Sequence, residues 1–250
     1  MRILLTNDDG IDAPSMRALK AVLSDIAECF VVAPDSQRSA FAHAISIANN
    51  VSVRKYFIDD EDFGLQVDGT PADCVKLALC TLLKDTPPDL VISGINHGPN
   101  TGVSIYYSGT VSAAREGTIA GIPSIAASLC SFTYADFSYS CQLVRDVALK
   151  VYRHGLPRST TLNINIPPLT RNEIRGIKVT KQAQSRFIEE YISRGKEKGT
   201  TFYSLSGELE IVDKDPNNDE QAVNDGYVSI TPLKLDLTDE TYMQKLRKML

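Results

Sequence analysis

The chain has 250 residues, 43% of them apolar, and 26 basic side chains against 31 acidic ones, for a net charge of -5. That is enough apolar material for a full core, either one large α/β domain or a core with an appendage. The mild acidity argues against a binder of nucleic-acid duplexes, which needs a basic face, while leaving room for a small phosphorylated ligand met through a cation.

In chain order, Ile3, Leu4 and Leu5 form an unbroken apolar run, the pattern of a central strand buried on both faces of a parallel sheet. It stops at Asn7, Asp8, Asp9 and Gly10. In open α/β sheets ligands bind beyond the carboxyl ends of the strands, so this acidic pair is expected at the binding edge, where two adjacent anions call for a cation. Asp12 is expected to cap a helix with Pro14 in its first turn and Met16, Leu19, Val22, Leu23 and Ile26 on one face. Phe30, Val31 and Val32 predict a second buried strand, and the loop after it brings Arg38 and Ser39 to the same edge. Residues 45–53 alternate in places and suggest an antiparallel excursion.

Thr70, Pro71 and Asp73 form a capping box that opens a helix running to about Leu83. After Pro87 and Pro88, Leu90, Val91 and Ile92 read as a third buried strand. It leads into a glycine- and asparagine-rich loop over 93–102 that holds Asn96, His97 and Asn100. Ser108, Gly109 and Thr110 then start a helix that ends at Gly121. Free N–H groups, two hydroxyls and the positive end of the helix dipole make this start an anion cradle. Residues 124–127 predict a strand, 136–153 a long helix with His154 at its end, 161–166 an edge-side strand, and 177–180 another.

From 182 to 224 the composition turns charged and weakly periodic, which predicts a protruding hairpin and polar loop outside the core. Residues 227–231 return to strand character, and the terminal stretch from Asp239 has helical spacing. The expected organisation is one α/β domain over 1–250. Its core comprises 1–181 and 225–235, the hairpin and loop fill 182–224, and a C-terminal helix occupies 238–250. Membrane spans and a signal peptide are not expected: no apolar stretch approaches ~20 residues. Five cysteines (Cys29, Cys74, Cys80, Cys130 and Cys141), odd in number and never spaced C-x-x-C, read as reduced core residues of a cytoplasmic protein.

The strand-end residues Asp8, Asp9, Ser39 and Asn96 form an all-oxygen donor set, suited to Mg²⁺ or Mn²⁺ rather than zinc, and the cradle at Ser108, Gly109 and Thr110 lies beside it. His43 and His97 both fall in the same loops, and either could donate a proton or orient water. The Asp-x-Asp of haloacid-dehalogenase phosphatases is absent, because Asn7 stands at its first position. The strand-end phosphoacceptor of response regulators, a Gly-x-Gly-x-x-Gly loop and a Walker A loop are absent as well.

Taken together, Leu5-Thr-Asn-Asp-Asp-Gly10, Ala33-Pro34-Asp35, Arg38-Ser39, Gly69-Thr-Pro-Ala-Asp-Cys-Val75, Ser93-Gly-Ile-Asn96, Gly98-Pro-Asn100, Tyr107-Ser-Gly-Thr-Val111, Glu116-Gly117 and Gly226-Tyr-Val-Ser-Ile-Thr-Pro-Leu233 resemble the SurE (survival protein E) nucleotidases. The resemblance runs from Met1 to about Leu233. It implies a Rossmann-like three-layer core with a mostly parallel sheet and an extended C-terminal hairpin exchanged between subunits of a homodimer or homotetramer. It also implies hydrolysis of nucleoside 5′- and 3′-monophosphates, and of polyphosphate as a further expectation. The family's metal ligands fall on Asp8, Asp9, Ser39 and Asn96, for one divalent ion per subunit (Mg²⁺ or Mn²⁺, with Ca²⁺ a third choice). Attack by a metal-activated water is the expected chemistry. Asp8, Asp9, Asn96 and His43 are the expected catalytic residues, and Ser108, Gly109, Thr110 and Asn100 the phosphate-binding ones. The competing reading is a non-catalytic, metal-dependent nucleotide-binding regulator. Two departures stand out: Ser15 where the family usually has glycine, and Tyr203-Ser204 where an aromatic pair is common.

Overall fold

A computed structural model describes residues 1–134, 136–213 and 215–250; Ala135 and Lys214, the latter within the expected polar loop, lie outside the described residues. The centre is β1 (Arg2–Thr6), whose Ile3, Leu4 and Leu5 are completely buried. Successive strand side chains point to opposite faces, so the unbroken apolar run feeds two cores at once. Ile3 and Leu5 pack with α1 (Pro14–Leu23) and α4 (Ser138–His154) on one side of the sheet. Leu4 packs with Val75 of α2 (Pro71–Leu77) and Ala113 of α3 (Gly109–Ile119) on the other. Helix, sheet and helix make three layers.

The sheet has nine strands in the order β3-β4-β2-β1-β5-β6-β7-β11-β8. Its inner six are parallel: β4 (Glu61–Asp68), β2 (Glu28–Pro34), β1, β5 (Leu90–His97), β6 (Ser124–Leu129) and β7 (Thr160–Ile166). Chain order reverses at β1, which lies between β2 and β5, and this is the doubly wound arrangement whose ligand crevice opens at the reversal. The loops after β1, β2 and β5 therefore meet at one edge. Among the described residues no helix is long and apolar enough to cross a membrane.

Several expectations need correction. Asp12 does not cap α1; Ala13 stands at that position, and Asp12 instead pairs with Arg17 and accepts from the Tyr56 hydroxyl. The antiparallel excursion lies later than 45–53, as a hairpin of β3 (Ser52–Ile58) and β4, while most of 41–50 is irregular and exposed. β5 continues through Asn96 and His97, where a loop was expected, because its register against β6 shifts between Ser93 and Asn96 and resumes. β7 is not edge-side: β11 (Val228–Lys234) pairs with its outer flank. Its alternating Thr161, Asn163 and Asn165 are buried; Thr161 bonds to Thr118, and the amide N–H groups of Asn163 and Asn165 donate to the Asn100 carbonyl, while Asn163 Oδ1 has no hydrogen-bond partner among the described residues. Cys80 is exposed rather than in the core, although all five cysteines are free.

The hairpin of β9 (Ser185–Glu197) and β10 (Thr200–Ile211) forms a separate two-stranded sheet. The polar segment after it does not all stay outside the core. α5 (Asp219–Asn224) turns back, capped by Asn218, and Asp219 is fully buried, accepting N–H bonds from Gly102 and Ala183. β8 (Ile177–Val179) forms the far edge, and α6 (Glu240–Met249) lies on the surface with no buried residue.

Candidate active site

The turn after β1 is made by Asn7, fully buried. Its amide donates to the Gly10 carbonyl and accepts from the Gly10 N–H, with Gly10 at φ +98°. A side chain would strain that backbone, so glycine is required here. The turn presents Asp8 inward at 4% exposure and Asp9 beside it. Burial, and then the charge of Asp9, push the Asp8 carboxyl up to about 6; a hydrogen bond from Thr110 works in the other direction. Burial also raises Asp9, opposed by a bond from the backbone N–H of His97 at 3.2 Å.

A buried and a half-buried carboxylate side by side, with raised pKa values and no basic side chain bonded to either among the described residues, are a poor arrangement alone and a good one around a cation. The other donors agree. Asn96 gives its amide N–H to the Gly98 carbonyl at 2.9 Å, which leaves its Oδ1 available, and Ser39 receives a bond from Gln37 through Oγ. Among the described residues no group of three or more His, Cys, Asp or Glu side chains could hold a metal. Two carboxylates, an amide oxygen and a hydroxyl are all hard oxygen donors, a set whose chemistry suits a hard cation.

A cleft of about 240 Å³ opens here. Asp8, Ser39, Asn96, His97, Asn100 and Ser108 line it, with Tyr107, Phe132 and Phe187. Helix α3 starts directly against Asp8: a β-carbon on Gly109 would lie 2.8 Å from that of Asp8, so only glycine allows the approach. Ser108 caps the helix by accepting the Val111 N–H at 3.0 Å. The Thr110 hydroxyl donates to Asp8 Oδ1, so in this form it serves the carboxylate rather than facing outward. Asn100 is fixed from β6 and β7: its side chain donates to Ser128, and its backbone bonds to Asn163 and Asn165.

His43 is placed differently. It does not line the cleft, and its Nε2 lies 2.9 Å from Glu116, which also accepts from Lys76 at 2.5 Å. The His43 bond, followed by that from Lys76, holds Glu116 below the usual carboxylate range despite its burial. His97 does line the cleft, with its ring 4.8 Å from that of Phe137. The aromatic wall of Tyr107, Phe132 and Phe187 was not read from the sequence. Their placement after strand ends and at the hairpin base was the available signal.

Fold and site define a doubly wound α/β protein with an acidic, oxygen-lined cleft at its switch point, beside a helix N-terminus. Comparison with known proteins makes this specific. The family model for survival protein SurE matches residues 3–189, and the chain belongs to that family. It is 48% identical to 5′-nucleotidase SurE of Pelotomaculum thermopropionicum, over 100% of this chain and 95% of the relative. It is 46% identical to 5′-nucleotidase SurE of Heliobacterium modesticaldum, over 98% and 90%. The crystal structure of SurE protein from Aquifex aeolicus aligns with a TM-score of 0.85 at 41% identity, covering 100% of this chain and 99% of that one.

Proposed function

We propose that this protein is a divalent-metal-dependent 5′-nucleotidase that releases phosphate from nucleoside monophosphates. The observation that carries the reading is the pair of a buried Asp8 and a half-buried Asp9 at the sheet's switch point, with the N-terminus of α3 set against Asp8. Full-length relatives named 5′-nucleotidase support it.

Asp8, Asp9, Ser39 and Asn96 would hold one cation, Mg²⁺ or Mn²⁺, with Ca²⁺ a third choice. When bound, such an ion supplies a more acidic water and neutralises charge on the phosphoryl oxygens. The chain's own residues do the rest. The Gly109 N–H at the start of α3 and the Ser108 hydroxyl, whose proton is not used in the cap, bind phosphate oxygens. Asn100, held by β6 and β7, supports the opposite part of the loop. Thr110 orients Asp8, and the His97 backbone orients Asp9. His97 lines the cleft, and His43 steadies the 40–44 loop through Glu116.

These groups address the phosphate and not its carrier, so the proposal extends to 3′-monophosphates and to the end of a polyphosphate chain. It also extends to a homodimer or homotetramer assembled through β9 and β10. Ile188, Tyr191, Phe202, Tyr203 and Leu205 are exposed there on a sheet too small to bury them. Five free cysteines suit a reducing, cytoplasmic compartment. A phosphate-release panel over 5′- and 3′-monophosphates and polyphosphate, with Mg²⁺, Mn²⁺ or Ca²⁺, tests the reading. Turnover that needs metal and vanishes in Asp8→Ala is expected. Metal-dependent nucleotide binding without phosphate release would establish a regulator instead.

A further inference from the structure

The residues that hold phosphate do not explain how a nucleotide would be preferred to any other phosphomonoester. The cleft has a feature that can. Phe132, in the loop after β6, lines the same cleft as Asp8 and Ser108 yet is 78% exposed. An open phenyl face at the lip of a cleft offers apolar surface that a ligand held in the cleft can cover. The ring also rests against the loop that follows β5. A β-carbon on Gly98 would fall 2.4 Å and 2.7 Å from two of its ring atoms, so the ring lies directly on the Gly98 backbone. Gly98 takes φ +112°, and its carbonyl accepts the amide of Asn96. The aromatic platform is therefore seated on the loop that carries a candidate metal ligand, with the rest of the ring open.

The other two aromatics of the cleft are paired with each other. Tyr107 and Phe187 pack on each other with centroids 6.1 Å apart, and Tyr107 immediately precedes the phosphate cradle. Phe132 has no aromatic partner among the described residues. From this placement we propose that Phe132 is the stacking platform for the nucleobase, and so a specificity-determining residue of the cleft. The inference rests on the nucleotidase reading of the same site and adds the part of the substrate that the phosphate-directed groups ignore. An aromatic face stacks on any base without reading its edges, so it favours nucleotides as a class over sugar phosphates.

The test compares wild type, Phe132→Ala and Phe132→Tyr on AMP and on ribose 5-phosphate, which keeps the phosphate and sugar without the base. Adenosine serves as a competitive inhibitor that reports base binding without catalysis. Loss of one base–aromatic stack is expected to lower kcat/KM for AMP in Phe132→Ala by roughly fivefold to a hundredfold, through KM, and to weaken adenosine inhibition by the same factor. Ribose 5-phosphate turnover should stay within about twofold, and Phe132→Tyr should restore AMP, because either ring can stack. An equal loss on both substrates would make the ring a support for the 96–98 loop and overturn the proposal, as would no loss on either. A change in sedimentation of Phe132→Ala without a change in the AMP to ribose 5-phosphate ratio would assign the ring to a subunit contact. Wild type that releases phosphate from neither substrate would overturn the nucleotidase reading itself, and this inference with it.

Discussion

Asp8→Asn should stabilise the protein when metal is absent. The Asp8 carboxyl is 4% exposed and is pushed from its ordinary 3.8 up to about 6, by burial and then by Asp9. The folded chain thus holds a proton that the unfolded chain gives up between about pH 4 and pH 6, so wild-type stability falls as pH rises through that window. The rise corresponds to about 3 kcal/mol at neutral pH. Asparagine is neutral and nearly isosteric, and keeps an oxygen to accept from Thr110, whose preference for the charged carboxylate is already contained in that rise. The gain is therefore about 3 kcal/mol, or roughly 6–12 °C in Tm for a chain of this size. The assay is thermal unfolding of both proteins in EDTA from pH 4 to pH 8, repeated with Mn²⁺. The gap should open with rising pH and be absent near pH 4. With Mn²⁺ at about a hundred times its Kd, wild type should recover about 2.7 kcal/mol and the variant little. An Asp8→Asn protein less stable than wild type in EDTA at pH 7.5 would refute the reasoning.

Other consequences follow from the same geometry. Thr110→Val removes the bond that lowers the Asp8 pKa, so the acid limb of a Mn²⁺ affinity profile should move to higher pH; titration at pH 5.5 and 7.5 checks this. His43→Ala leaves Glu116 with Lys76 alone; it should cost about 1 kcal/mol of stability without altering Mn²⁺ affinity, and calorimetry of both properties decides. Deleting 186–207 should reduce the assembled mass in sedimentation; a full-length protein that is monomeric at micromolar concentration with full activity would contradict the proposed exchange of hairpins.

Most of the architecture could be read from apolar runs and caps. The three consecutive apolar residues of β1 announced two buried faces, and Ile3, Leu4 and Leu5 divide between the two cores as that pattern requires. The Thr70 box forms in full, with Thr70 and Asp73 satisfying each other's backbone N–H groups, because both halves of the interaction lie within four residues. What failed was not local. Asp12 is a good cap by type, yet Tyr56, from a strand 44 positions away, and Arg17 take its carboxylate. β7 looked like an edge because polar residues alternate with apolar ones, and alternation ordinarily marks a solvated face.

The polar face of β7 also shows why the site was only partly legible. Asn163 and Asn165 are fully buried, and their amides converge on the Asn100 carbonyl, while the Asn165 oxygen accepts the Asn100 N–H. A buried amide without partners costs more than its bond contributes, so this face is stable only while the loop over 98–100 sits on it. A strand that reads as half-solvated is instead the underside of the cleft. The acid pair could be located from sequence because a strand end and two adjacent carboxylates are a local pattern. The network that aims Asn100, the bond that turns Thr110 toward Asp8 and the glycine that seats Phe132 exist only once strands distant in sequence lie side by side.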